Sequence, residues 1–113
     1  MSRRIPPSVR QAEATLSLLD KRAVILAWQS YQLEMHGVPP EVFGDAFDEY
    51  LDTALSTGDR LGVLTHGVHD VIMDLREIAE DDEDEWPILR DCLAAALPED
   101  VFLTVTGSIE PNA

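Results

Sequence analysis

Apolar or small residues recur at Val9, Ala12, Leu16, Leu19, Ala23, Leu26, Ser30 and Leu33, in steps of 3, 4, 3, 4, 3, 4 and 3. This alternation is a heptad seam, which lines up on one side of a chain only if that chain is helical. Ser8 follows the Pro6-Pro7 breaker as a candidate N-cap, and Gly37 with Pro39-Pro40 supplies a stop. The spacing predicts one long helix from about Ser8 to His36, with Leu19 and Leu26 in its core face. Ile25, Trp28, Tyr31 and Met35 form a second stripe beside the seam. A helix apolar on two adjoining faces is the central element of a bundle, or it offers one face to a second copy as a homodimer.

The remaining periodicities are also helical. Phe43, Ala46, Phe47, Tyr50, Leu51, Ala54 and Leu55 follow i, i+3, i+4 spacing and predict a second helix from about Pro40 to Gly58. Asp45, Asp48, Glu49 and Asp52 fall about 190° from Phe43, as an outward acidic ridge. Asp59 reads as the cap of a third helix whose stripe is Leu61, Leu64, Val68, Val71, Ile72, Leu75 and Ile78, with Asp70, Asp74 and Glu77 directed away from it. The run Glu80, Asp81, Asp82, Glu83, Asp84, Glu85 reads as a loop, and Pro87 as the first turn of a short fourth helix carrying Ile88, Leu89, Cys92, Leu93, Ala96 and Leu97. Pro98 ends it, and the partly β-branched Val101–Val105 segment reads as a short extended strap. The expectation is an all-α four-helix bundle with a long first helix and a short C-terminal extended segment. It forms one acidic domain over residues 1–113, with a flexible start at 1–7, an acidic loop at 80–85 and a flexible tail at 106–113.

Composition narrows the classes of function. Eight Lys and Arg stand against 22 Asp and Glu, a net charge of −14. The imbalance is uneven: residues 1–30 sum to +3 and residues 31–113 to −17. Binding of phosphate backbones or anionic membranes requires clustered cations, so the expectation is no direct nucleic acid and no membrane partner. The cations of the first helix are expected to neutralise neighbours within the fold. The single Cys92 excludes an internal disulfide and a cysteine-cluster metal site, and fits a reducing cytoplasmic setting. Arg3 and Arg4 are followed by Ile5-Pro6-Pro7-Ser8 where an export signal would carry its apolar region, so no signal peptide is expected.

Several chemical constellations were tested against this layout. His66 and Asp70 are i, i+4 neighbours with His69 beside them, but three residues on one face lack a convergent fourth ligand, and a polar flank with a His66–Asp70 contact is expected. The acids on two successive helices, Asp45, Asp48, Glu49 and Asp52, then Asp70, Asp74 and Glu77, resemble the paired acidic helices of MazG-like nucleotide pyrophosphohydrolases. That resemblance implies an all-α enzyme holding magnesium between carboxylates on facing helices. Here the acids lie opposite the core stripe, and Glu-x-x-Glu followed by Glu-x-x-Asp is absent. Gly58-Asp59-Arg60-Leu61 resembles the Asp-Ser-Leu turn of acyl carrier proteins, but Arg60 stands where the modified serine would be, which excludes carrier chemistry. The acidic run lacks the glycine and alternating ligands of a calcium loop. Phosphate loops and nucleophile elbows are absent as motifs. No cofactor, metal or catalytic residue is therefore expected.

What remains is charge. Carboxylates spaced along rigid helices imitate a nucleic-acid backbone and steer a basic surface toward themselves. In class, this is similar to bacterial immunity proteins and phage-encoded inhibitors. The sequence reading is therefore a non-enzymatic inhibitor, immunity or accessory protein for a basic protein partner, contacting it through Asp45, Asp48, Glu49, Asp52, Asp70, Asp74, Glu77 and the run Asp81, Asp82, Glu83, Asp84, Glu85. The magnesium-dependent hydrolase is the alternative reading, a structural subunit of a larger assembly a third, and acidity that serves only to keep the chain soluble stands beside them.

Overall fold

A computed structural model describes residues 6–37 and 47–109. Among these residues there are six helices and no strand: α1 (Pro7–Thr15), α2 (Leu18–Met35), α3 (Phe47–Ser56), α4 (Val63–Asp81), α5 (Glu85–Ala96) and α6 (Glu99–Gly107). The all-α expectation holds. The count of four helices, the long first helix and the extended C-terminal strap do not.

The seam breaks at Leu16 and Ser17. Both are extended, Ser17 at φ −67°, ψ 166°, and the Ser17 hydroxyl accepts the Asp20 N–H at 3.1 Å, so Ser17 starts a new helix as its N-cap. Ser17 lies beside the seam, between Leu16 and Leu19, and its hydroxyl, which competes with the helical backbone, here takes a capping role. The two extended residues also change the phase of the buried face. Val9, Ala12 and Leu16 keep their seam positions in the core, whereas α2 buries Lys21, Val24, Ile25 and Tyr31 and leaves Leu19 61% exposed. The core assignment of Leu19 is thus corrected, and Leu26 is half-buried. The start of α1 shifts too: Pro6 is its N-cap, with its carbonyl accepting from Val9 and Arg10, and Pro7 rather than Ser8 opens the helix.

Most of the third predicted stripe becomes α4. Leu64, Val68, Val71, Ile72 and Leu75 are all buried, and α4 touches α1, α2, α3 and α5, which makes it the centre of the fold. Leu61 does not join them; it lies in the preceding turn, 87% exposed. α4 packs most extensively against α2, where a Cβ on Gly67 would stand 2.8 Å from Ile25 Cδ1, so glycine leaves room for that side chain. The α3–α4 turn is a Schellman arrangement: Gly58 at φ +71° closes α3 as its N–H reaches Leu55 O, while the Asp59 N–H reaches Ala54 O.

The acidic run is only in part a loop. Glu80 and Asp81 continue α4, and Glu85 begins α5. The segment after Pro98 is helical because Val101 and Val105, both buried, lie one turn apart, and Glu99 and Asp100 favour a helix N-terminus. The Thr104 and Thr106 hydroxyls bond back to the carbonyls of Asp100 and Phe102, which accommodates β-branched residues in a helix. Thr106, Ser108 and Ile109, expected in a flexible tail, are buried. Arg76 Nη1 donates to Ser8 Oγ and Ser108 O, tying the start of α1 and the end of α6 to α4.

Leu75→Ala should lower stability by about 2–5 kcal/mol in urea unfolding, since the site is fully enclosed. Leu19→Ala should change it by less than about 0.5 kcal/mol. Equal losses at the two positions would restore the continuous seam.

Candidate interaction surface

Lys21 is 7% exposed, and a buried ammonium requires a counter-charge. Its Nζ lies 2.7 Å from Glu13 Oε2 and 3.3 Å from Thr65 Oγ1. On one straight helix, residues eight apart are separated by about 12 Å of rise, so the break at Ser17 is what allows Glu13 to fold back onto Lys21. The network continues on both sides. His69 Nε2 contacts Glu13 Oε1 at 3.2 Å, and Thr65 Oγ1 donates to Asp59 Oδ2 at 2.9 Å. Asp59 also accepts the N–H groups of Leu64 and Thr65, so it caps α4 from the preceding turn, at φ +56°.

His69 is buried, with Nδ1 unpartnered, and not on the polar flank expected for it. His66 meets it edge-on, with ring centroids 6.4 Å apart. The hydrogen bond of this histidine pair thus runs from His69 to Glu13, in place of the expected His66–Asp70 contact.

A second cluster joins the end of α2 to the start of α5. Tyr31 Oη donates to Glu85 Oε1 at 2.6 Å, and His36 Nε2 pairs with the same oxygen. Trp28 stacks on Tyr31 at 5.7 Å between centroids. Burial, then the hydrogen bond and charge of Glu85, push the Tyr31 phenol far above its ordinary range. Tyr31, His36 and Glu85, with Met35, Asp82, Asp84 and Ile88, line a cavity of about 360 Å³. A larger cavity, about 520 Å³, lies beside Tyr50, Thr53, Ala54, Asp59, Arg60 and Leu61.

The predicted contact residues divide accordingly. Asp48, Glu49, Asp52, Asp70, Glu77, Asp81, Asp82, Glu83 and Asp84 are exposed. Asp52 also pairs with Arg22 at 2.7 Å, and Asp82 Oδ1 caps the Glu85 N–H. Asp74 is half-buried, and Glu85 is held by Tyr31 and His36, so neither is an outward acid. Asp45 lies outside the described residues. The two internal clusters escaped sequence reading; the only signal was a Glu, a Lys and a His set among core positions.

Among the described residues, no group of three or more His, Cys, Asp or Glu side chains is placed to hold a metal ion, so the geometry adds nothing to the magnesium-hydrolase alternative. No described helix is long and apolar enough to cross a membrane. Comparison with family models, with curated proteins and with solved structures finds no match to this chain.

Burial would raise the Glu13 carboxyl, but Lys21 and His69 outweigh it and hold the group below its ordinary range. Burial likewise opposes Asp59, whose backbone N–H donors, Thr65 hydroxyl and Lys21 keep it low. Carboxyls depressed in the folded state contribute stability above their unfolded values, and that contribution is lost as pH falls through the folded ones. Stability should therefore drop below about pH 4. The Glu13→Gln, Asp59→Asn double variant should be less stable at pH 7 with a flatter acid limb, as read by thermal melts across pH. An unchanged acid limb would show that these two carboxylates do not set it.

Proposed function

We infer that this chain binds a basic protein partner through its solvated carboxylates and acts as an inhibitor, immunity or accessory protein, without turnover. The observation that carries the reading is the stack of acids at the C-terminal end of α4. Glu80 and Asp81 end the helix, Asp82, Glu83 and Asp84 follow directly, and the last turn contains no basic residue. A helix C-terminus carries partial negative charge, so these acids repel both one another and the helix end. Asp82 is taken up at the start of α5, where it caps the Glu85 N–H, but folding gains nothing from Glu80 and Asp81 in the last turn of α4, and departures of this kind concentrate at functional sites.

The arrangement of the cations supports the same reading. Of the six described cations, Arg10 and Arg60 are exposed, whereas Lys21 and Arg22 pair with Glu13 and Asp52, Arg76 bonds to Ser8 and Ser108, and Arg90 lies over the Phe102 ring at 5.8 Å. With these engaged inside the fold, the exposed acids of α3, α4 and the Asp82–Asp84 turn dominate the field that a partner meets.

Asp81→Asn, Glu83→Gln, Asp84→Asn removes three exposed acids and spares the capping Asp82 and the paired Glu85. The melting midpoint should stay the same or rise. Association with basic proteins captured by the immobilised chain at low salt should slow at least several-fold, with a weaker dependence on ionic strength, because exposed charges act through steering over about 8 Å of screening. Unchanged association rates in a stabilised variant would reduce the acidic run to a solubilising role.

A further inference from the structure

The turn between α3 and α4 presents a large apolar side chain to solvent without any gain to the core. Leu61 is 87% exposed, and Tyr50, which lines the same cavity from α3, is 56% exposed. The turn is tightly held: the Asp59 N–H reaches Ala54 O at 2.8 Å, the Gly62 N–H reaches Asp59 O at 2.9 Å, and Gly58, Asp59 and Gly62 all adopt positive φ. Leu61 is therefore fixed at the edge of the cavity of about 520 Å³, a volume inside the roughly 300–1,000 Å³ of small-molecule sites.

The polar groups around this cavity are unequally used. The Thr57 hydroxyl is spent on the carbonyls of Thr53 and Ala54. The Asp59 carboxylate is spent on the N–H groups of Leu64 and Thr65 and on the Thr65 hydroxyl. Among the described residues, the Arg60 guanidinium and the Tyr50 phenol have no hydrogen-bond or ion-pair partner. The cavity thus offers a ligand apolar walls and two unused donors, one of them a permanent cation.

We propose that this α3–α4 cavity binds a small apolar monocarboxylate of the medium-chain fatty-acid type, with its carboxylate at Arg60 and its hydrocarbon against Ala54, Leu61 and Val63. Charge selects the occupant. The chain has a net charge of −14, yet the charged group left unengaged around this cavity is a guanidinium, whose planar fork of N–H donors matches a carboxylate. A cationic ligand would be repelled by Arg60, and a neutral one would make no use of it. A second cavity, of about 410 Å³, shares Tyr50, Leu61 and Val63 and extends the apolar surface open to the hydrocarbon. The net charge opposes the approach of any anion, so the dissociation constant belongs between about 10 μM and about 1 mM. The site adjoins the start of α4, at the other end of that helix from Glu80 and Asp81, and is independent of the proposed partner surface.

Titration of the isotope-labelled chain with octanoate and with octanol, from about 10 μM to about 3 mM and followed by amide chemical shifts, tests this. Octanoate should move the Tyr50, Ala54, Leu61 and Val63 signals saturably, and octanol should bind about tenfold more weakly, as the loss of a charge-assisted hydrogen bond implies. Arg60→Gln, at an exposed position, should reduce octanoate to the octanol level and leave octanol binding unchanged. Thr53→Trp, also at an exposed position, fills the cavity and should abolish both. Absence of saturable shifts, shifts centred elsewhere, or binding that survives Thr53→Trp would overturn the site. Equal affinities for octanoate and octanol, or a preference for octanoate that survives Arg60→Gln, would overturn the carboxylate assignment.

Discussion

A lysine ammonium inside an apolar core is tolerated only with a counter-charge held against it, and Lys21 imposes that requirement here. Its partner Glu13 lies eight residues earlier, out of reach along one straight helix. The Ser17 break, the return of α1 across α4, and the seating of Asp59 and Thr65 beneath the ammonium all satisfy the same need. The break then decides which residues of α2 face inward. Through it, one polar contact sets the phase of the longest stretch of periodic sequence in the chain.

The same pairing shapes the surface. Lys21 and Arg22 are directed to carboxylates on α1 and α3, and Arg76 gathers the start of α1 and the end of α6 onto α4. Four of the six described cations are engaged within the fold, while Glu80 and Asp81 stand in the last turn of α4, where the helix end disfavours negative charge. The proposed role in binding a basic partner rests on that contrast: positive charge assembles the fold, and negative charge is presented.

Sequence reading succeeded where one period dominated. Leu64, Val68, Val71, Ile72 and Leu75 alternate with acids so regularly that α4 could be read directly, and Pro87 and Pro98 bracketed α5. It failed where two signals competed. The seam runs without interruption from Leu16 to Leu19, yet Ser17 with Asp20 three residues on is a capping pattern, and the cap prevailed. Val101 and Val105 are β-branched, which suggested an extended strap, but their i, i+4 spacing and the acids after Pro98 favoured α6. Most outward acids were legible because charge opposite an apolar stripe faces water. Glu85 was not, because its partners Tyr31 and His36 come from a helix about 50 residues away in sequence.

A double-mutant cycle between Glu13 and Lys21 tests most directly whether this ion pair governs the fold. Urea unfolding of Glu13→Gln, Lys21→Met and the double variant isolates the energy of the pair from the packing of each side chain. The structure predicts that each single change is destabilising and that the double variant is more stable than their sum implies, by at least about 1 kcal/mol. Losses that add to within about 0.5 kcal/mol would show that the two groups do not interact, and the break in the seam would then lose its physical cause.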